Sequence, residues 1–83
     1  MEKAIEALKC FPSKTVGQRE TMRLVSEKKA KIVILAADAD KHIIEKVSNL
    51  CRECCVEICF AGSKSELGKL CGITVACAVV GLY

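Results

Sequence analysis

KIVILA, residues 31–36, is a run of β-branched and aliphatic side chains with no polar position after its first lysine. Such a run predicts a strand that is buried on both faces of a sheet. VEICF, residues 56–60, predicts a second core strand, and VACAVVGL, residues 75–82, predicts a last strand that is apolar throughout. Strands of this kind need cover on both sides, so the runs predict a sheet between two layers of helices.

Segments with helical periodicity separate the strands. We predict helices over residues 2–10, over residues 18–28 after Gly17, from a cap at Asp38 or Asp40 to about Cys54, and from a capping box of Ser63 and Glu66 to about Cys71. A short strand at residues 14–16 follows Pro12, which ends the first helix. The predicted fold class is α/β: a three-layer α/β/α sandwich with a mixed four-stranded sheet, in a single domain over residues 1–83.

The length and composition of the chain argue against several classes of function. The 83 residues are 52% hydrophobic, which suits one domain with a thin core. The longest apolar runs, residues 32–37 and 73–82, fall short of the ~20 residues that cross a bilayer, and no basic-then-apolar leader opens the chain. We therefore expect a cytoplasmic protein without a membrane partner. Aromatic residues make up 4%, which disfavours a protein that stacks every base of an oligonucleotide on a ring.

The positive charge is concentrated in the first third of the chain. The net charge is +3, and residues 1–31 carry eight Lys or Arg against four Glu. A basic excess of this size favours a polyanionic partner only mildly, because a run of charged residues is usually just a solvated surface.

The seven cysteines raise the question of a thiol or zinc site. Cys51, Cys54 and Cys55 lie at i, i+3 and i+4 and continue the apolar stripe of Ile44 and Val47. Buried free cysteine behaves as a small hydrophobe, so we predict reduced thiols that pack in the core, with no metal and no other cofactor. A small thiol or zinc protein stays open as an alternative. The single histidine, His42, is expected on the surface.

Two sequence patterns are similar to phosphotransferase or phosphate-binding motifs, but neither requires that function. Asp38 and Asp40 follow a core strand, where phosphotransferases place acids, but helix capping accounts for both. GSKSELGK, residues 62–69, resembles a P-loop with the wrong glycine spacing, and Leu70 stands where a magnesium-binding Ser or Thr is required. We expect no catalytic residues and no enzymatic activity.

The segment GQRETMR, residues 17–23, suggests nucleic-acid binding. A helix that begins there presents free N–H groups and the positive end of its dipole, both of which attract phosphate. Arg19 and Arg23 are spaced to share one face, and Glu20 beside them can accept hydrogen bonds from base amino groups. A surface ion pair between Glu20 and Arg23 is the alternative.

Three ordered motifs resemble the ribosomal protein L7Ae family, specifically its small bacterial members that bind kink-turns. They are KTVGQRET at residues 14–21, ILAADAD at residues 34–40 and GSKSELGKLCGITVACA at residues 62–78. The resemblance covers about residues 14–82. It implies an α/β/α sandwich that binds kink-turns, which are sharply bent RNA duplexes with a bulge and tandem sheared G·A pairs. It also implies a non-catalytic ribonucleoprotein component associated with the ribosome, and we expect a monomer.

The resemblance also assigns the site residues. Those expected to bind RNA are Lys14, Gly17, Gln18, Arg19, Glu20, Arg23, Lys64, Ile73, Thr74 and Val75. It implies that Glu20 contacts guanine, that the basic residues hold phosphates, and that Ile73 with Val75 covers a base flipped out of the bulge. Arg19 stands where archaeal members have asparagine, and Thr74 replaces a frequent acid. A protein-interaction module with the same fold but no RNA binding remains the other alternative.

Overall fold

Helices and strands alternate along the chain in the computed structural model, which describes residues 2–83. The elements are α1 (Glu2–Cys10), β1 (Lys14–Val16), α2 (Gln18–Ser26), β2 (Ile32–Ala36), α3 (Lys41–Glu53), β3 (Glu57–Ala61), α4 (Lys64–Leu70) and β4 (Val79–Leu82). The element order predicted from the sequence is confirmed. Helix α2 ends two residues before the predicted end.

The sheet is mixed, with strand order β1-β4-β2-β3. Strands β2 and β3 pair in parallel, with Ile34 opposite Cys59. Strand β4 lies between β1 and β2 and is antiparallel to both, with Val80 opposite Val16 on one side and Ile34 on the other. The KIVILA run is therefore an inner strand, which explains why it has no polar face.

Two hydrophobic cores lie on opposite faces of this sheet. On one face Ala4 and Ala7 of α1 and Leu67 of α4 pack against Ile34. On the other face residues of α2 and α3 pack against Val33, among them Val25, Val47 and Cys51. Neighbouring residues of β2 thus supply different cores, as the alternation of side chains along a strand requires. The three-layer α/β/α sandwich is confirmed.

The last strand is shorter than predicted, because it begins at Val79 rather than at residue 75. The residues that precede this strand form hydrogen bonds with α4 and are not part of the sheet. The amide of Ile73 donates to the carbonyl of Gly68, and the amide of Cys77 donates to the carbonyl of Lys64, each at 3.0 Å. We call residues 72–78 the α4–β4 loop. An unbroken apolar run gives no period that marks where a strand starts, and this explains the error.

The two aspartates after β2 cap different helices. Asp40 is the N-cap of α3, and its carboxylate accepts a hydrogen bond from the amide of His42 at 2.8 Å. Asp38 accepts a hydrogen bond from the amide of Lys64, the first residue of α4, also at 2.8 Å. The predicted capping box of Ser63 and Glu66 is present at α4. Capping roles are therefore confirmed for both aspartates, in α3 for Asp40 and in α4 for Asp38.

The cysteine stripe is only partly as predicted. Cys51 is completely buried and Cys54 is half-buried against the same core, but Cys55 is exposed. Cys55 lies beyond the end of α3 with φ of 57°, so it has left the helical face that carries the other two thiols. All seven thiols are free. Within residues 2–83, no three His, Cys, Asp or Glu side chains are grouped to hold a metal ion.

A membrane-spanning helix would have to be longer and more apolar than any that residues 2–83 form. The longest, α3, has 13 residues.

Candidate nucleic-acid interface

Three helices begin at the same edge of the sheet. Strands β1, β2 and β3 run in one direction, since β4 is antiparallel to β1 and β2 while β3 is parallel to β2. Each of these three strands is followed by a helix, so the N-termini of α2, α3 and α4 all lie at their carboxyl edge. In open sheets this edge is where ligands bind.

Of these three helices, α2 is the one whose N-terminus has no side-chain cap. Asp40 caps α3, and Ser63 with Glu66 caps α4, whereas the N-cap of α2 is Gly17 with no side-chain hydrogen bond. Gly17 has φ of 109°, a conformation that residues with a Cβ rarely adopt. The first-turn amides of α2 are therefore left for a ligand, and the helix dipole favours an anionic one.

Buried contacts fix the orientation of α2. Thr21, Leu24 and Val25 face inward, and the hydroxyls of Thr15 and Thr21 share a hydrogen bond of 3.0 Å. Added atoms at Gly81 of β4 would crowd both threonine side chains, so this glycine lets the helix approach the sheet. Arg19, Glu20 and Arg23 are consequently left on the exposed side of α2.

The ion pair predicted as an alternative, between Glu20 and Arg23, does not form. Arg23 pairs instead with Glu27, one turn along α2, with Nε 3.6 Å from Oε2. Lys29 approaches the other oxygen of Glu27 at 3.5 Å. The Glu20 carboxylate therefore has no ion-pair partner among residues 2–83 and remains available as an acceptor.

Two grooves flank α2. The β1-side groove is lined by Thr15, Glu20, Arg23, Leu24, Glu27, Lys29 and Tyr83. The α3-side groove is lined by Gln18, Arg19, Met22 and Lys46. Arg19 and Arg23 lie one turn apart on the exposed side of α2, as expected from their spacing, and they line different grooves. Tyr83 and Lys46 belong to no local sequence motif, because only the pairing of β4 with β1 and the packing of α3 on α2 bring them to these grooves.

The α4–β4 loop holds the apolar residues of the expected site. Val75 is 67% exposed and Thr74 is exposed, whereas Ile73 is half-buried and packs against the core. The loop lies on α4 at Gly68, where an added Cβ would overlap the carbonyl oxygen of Val75. This support presents Val75 to solvent while Ile73 anchors the loop.

The expected site residues at the start of α2 lie at the carboxyl edge, as does Lys64. The Gly17 amide donates to the Val79 carbonyl at 2.9 Å, which joins the start of α2 to the first residue of β4, directly after the α4–β4 loop. Lys64 is exposed at the start of α4, on the same edge.

Lys14 is the exception. It lies at the other end of β1, opposite Leu82, and the alternation of side chains puts it on the opposite face from Thr15. Burial raises the pKa of the Cys71 thiol, with the neighbouring Cys77 adding to the rise, and the charge of Lys14 opposes it. Lys14 thus lies on the α1–α4 side of the sheet, away from the two grooves.

The model of the ribosomal protein L7Ae/L30e/S12e/Gadd45 family matches residues 2–82. The chain belongs to this family.

Relatives of this L7Ae-family protein agree with its fold. It is 38% identical over 81 residues to RNA-binding protein YbxF of Geobacillus stearothermophilus, covering 98% of this chain and 94% of that one. The structure of the Giardia lamblia 15.5kD RNA binding protein is 30% identical, with a TM-score of 0.80 over 94% of this chain; this chain spans 65% of its length. A protein of unknown function from Bacillus halodurans is 22% identical over 93% of this chain and 76% of that one, with a TM-score of 0.81, and supports the fold alone.

Proposed function

We propose that this L7Ae-family protein binds RNA without catalysis and selects kink-turns. The observation that carries the proposal is the N-terminus of α2, which has no side-chain cap and exposes Arg19 and Glu20 in its first turn. The exposed Val75 of the α4–β4 loop adds an apolar surface. The family match and the names of YbxF and the Giardia protein, both described as RNA-binding, support RNA as the partner.

The α2 N-terminus suits a distorted rather than a regular RNA duplex. The major groove of A-form RNA is too deep and narrow for side chains. A kink-turn opens that groove at its tandem G·A pairs, so the first turn of α2 can enter. Its amides and Arg19 then hold phosphates, while Glu20 accepts hydrogen bonds from guanine. Arg23 reaches a phosphate after exchanging its pairing with Glu27.

The α4–β4 loop supplies an apolar cover for the extruded base of the bulge. Val75 provides exposed apolar surface and Ile73 supports it from the core side. Thr74 carries no charge, so it adds no repulsion against nearby phosphate. By holding these groups in place, the protein selects the bent state of an RNA that otherwise samples straighter forms.

We infer that the protein acts as a monomer in the cytoplasm of a bacterium, in association with the ribosome. YbxF, at 38% identity, comes from a bacterium, and the family takes its name from ribosomal proteins. A pull-down of the protein with sequencing of the bound RNA identifies the cellular target, and ribosomal RNA is the expected one.

Glu20→Ala should cost about 1–3 kcal/mol of binding free energy on a kink-turn duplex, the scale of one good base contact. The measurement is a mobility-shift titration of wild-type and variant protein. The matched RNA is the same duplex with Watson–Crick pairs in place of the tandem G·A pairs, where wild-type binding should be clearly weaker and the Glu20 effect should vanish. Equal wild-type affinity for the two duplexes would mean that charge alone is recognised.

Val75→Ala should leave the free energy of unfolding within about 0.5 kcal/mol, since the side chain is mostly exposed. RNA affinity should nevertheless fall by about 1 kcal/mol, because one face of the extruded base loses apolar contact. The control is a kink-turn whose bulge lacks that base, on which wild type and variant should bind alike. An equal loss of affinity on both RNAs would show that Val75 does not cover the extruded base.

A further inference from the structure

The two grooves beside α2 differ in charge. In the β1-side groove the cations Arg23 and Lys29 are matched by Glu20 and Glu27, and Glu27 lies within 3.6 Å of both cations. The α3-side groove contains Arg19 and Lys46 and is lined by no carboxylate. The α3-side groove is therefore the cationic one.

Arg19 and Lys46 have no competing partner. Neither forms an ion pair with any residue in the range 2–83. Glu45, the acid next to Lys46 on α3, makes no ion pair with it. Met22 is the apolar residue among those that line the groove, and its sulfur accepts a hydrogen bond from the Gln18 side-chain amide at 3.7 Å. Two cations without an ion-pair partner thus line one groove together with an apolar side chain.

We propose that the α3-side groove binds the phosphate backbone of an RNA strand, with Arg19 of α2 and Lys46 of α3 as its ligands. The inference rests on the proposed RNA binding and extends it to α3, an element outside the helix start and the α4–β4 loop. A polyanionic strand matches two cations that no acid neutralises. The groove also begins at the first turn of α2, where the helix dipole adds positive potential.

Under this assignment the two grooves contact different parts of the RNA. The β1-side groove, with its balanced charges and the Glu20 carboxylate, suits base edges. The α3-side groove, with cations alone, suits phosphates, which fix the register of the RNA without reading its sequence. Contacts on both sides of α2 would place this helix between two strands of the RNA.

The test is a salt titration of RNA affinity for Lys46→Ala, with Lys31→Ala as the matched control. Lys31 is also an exposed lysine, but it precedes β2, at the end of the sheet opposite the start of α2. We expect Lys46→Ala to weaken binding by about three- to tenfold at low salt and to reduce the slope of log affinity against log salt by about one phosphate contact. Lys46→Arg should restore both, and Lys31→Ala should change affinity by less than about twofold.

The two RNAs keep this test separate from the test of kink-turn selection. Because phosphate contacts are independent of sequence, the effect of Lys46→Ala should appear on both the kink-turn and the Watson–Crick duplex. Wild-type discrimination between these duplexes reports on kink-turn selection, whereas the difference between Lys46→Ala and Lys31→Ala reports on the groove. Equal affinities and equal salt slopes for the two alanine variants would overturn the proposal.

Discussion

Gly68→Ala is expected to destabilise the protein by about 1–3 kcal/mol, although alanine is the better helix former by about 1 kcal/mol. The added Cβ would overlap the carbonyl oxygen of Val75, and that atom is backbone that cannot rotate away. The α4–β4 loop would have to leave α4, with strain on the hydrogen bond from Ile73 to Gly68. RNA affinity should fall as well, because Val75 is displaced.

Urea unfolding measures this change, with Ser65→Ala as the control. Ser65 is an exposed residue of the same helix, so its replacement by alanine should stabilise slightly through helix propensity. A Gly68→Ala variant that is as stable as Ser65→Ala would show that the loop does not depend on close approach to α4.

Alkaline pH is expected to unfold the protein through its buried thiols. Burial raises the pKa of Cys51 to about 11 from an ordinary value of 9.0, with the nearby Cys54 adding to the rise. Burial also raises the pKa of Cys59 and of Cys71. The folded state therefore keeps neutral thiols that the unfolded chain ionises. For Cys51 the resulting stabilisation is complete below pH 9 and is lost as pH rises from 9 through 11, at about 1.4 kcal/mol per pH unit.

The contribution of Cys51 amounts to about 2–3 kcal/mol over this range. Urea midpoints measured across the range for wild type and Cys51→Ala isolate it, because the two proteins differ only at this side chain. Cys51→Ala should be less stable at neutral pH, since it loses buried volume, but its stability should fall less steeply above pH 9. Parallel curves for the two proteins would contradict a buried neutral thiol at this position.

Local signals allowed most of the fold to be predicted. KIVILA has the composition of an inner strand, and Ser63 with Glu66 forms its capping box within four residues, so neither depends on distant contacts. The α4–β4 loop could not be predicted, because hydrogen bonds to Lys64 and Gly68 draw an apolar segment away from the sheet. An apolar run shows that a segment avoids water and leaves open whether it does so on a strand or on a helix.

In the candidate site, too, some features follow from local sequence and others depend on tertiary packing. Gly17, Arg19, Glu20 and Arg23 could be proposed from the sequence because they lie within two turns of one helix start. The separation of Arg19 from Arg23 into different grooves depends on what packs beside α2, and sequence spacing carries no such information. Lys46 has no local motif at all, since its place opposite Arg19 is set entirely by the packing of α3 on α2.

The hydrogen bond from Gly17 to Val79 ties the start of α2 to the first residue of β4, directly after the α4–β4 loop, so that these two elements form one rigid frame. The protein therefore loses little conformational entropy when a ligand contacts both elements, and most of the reorganisation on binding takes place in the RNA. Under the proposed function, the association rate should depend on the fraction of RNA molecules that are in the bent form. Divalent cations that favour the bent form should accordingly speed capture, while leaving the lifetime of the complex nearly unchanged.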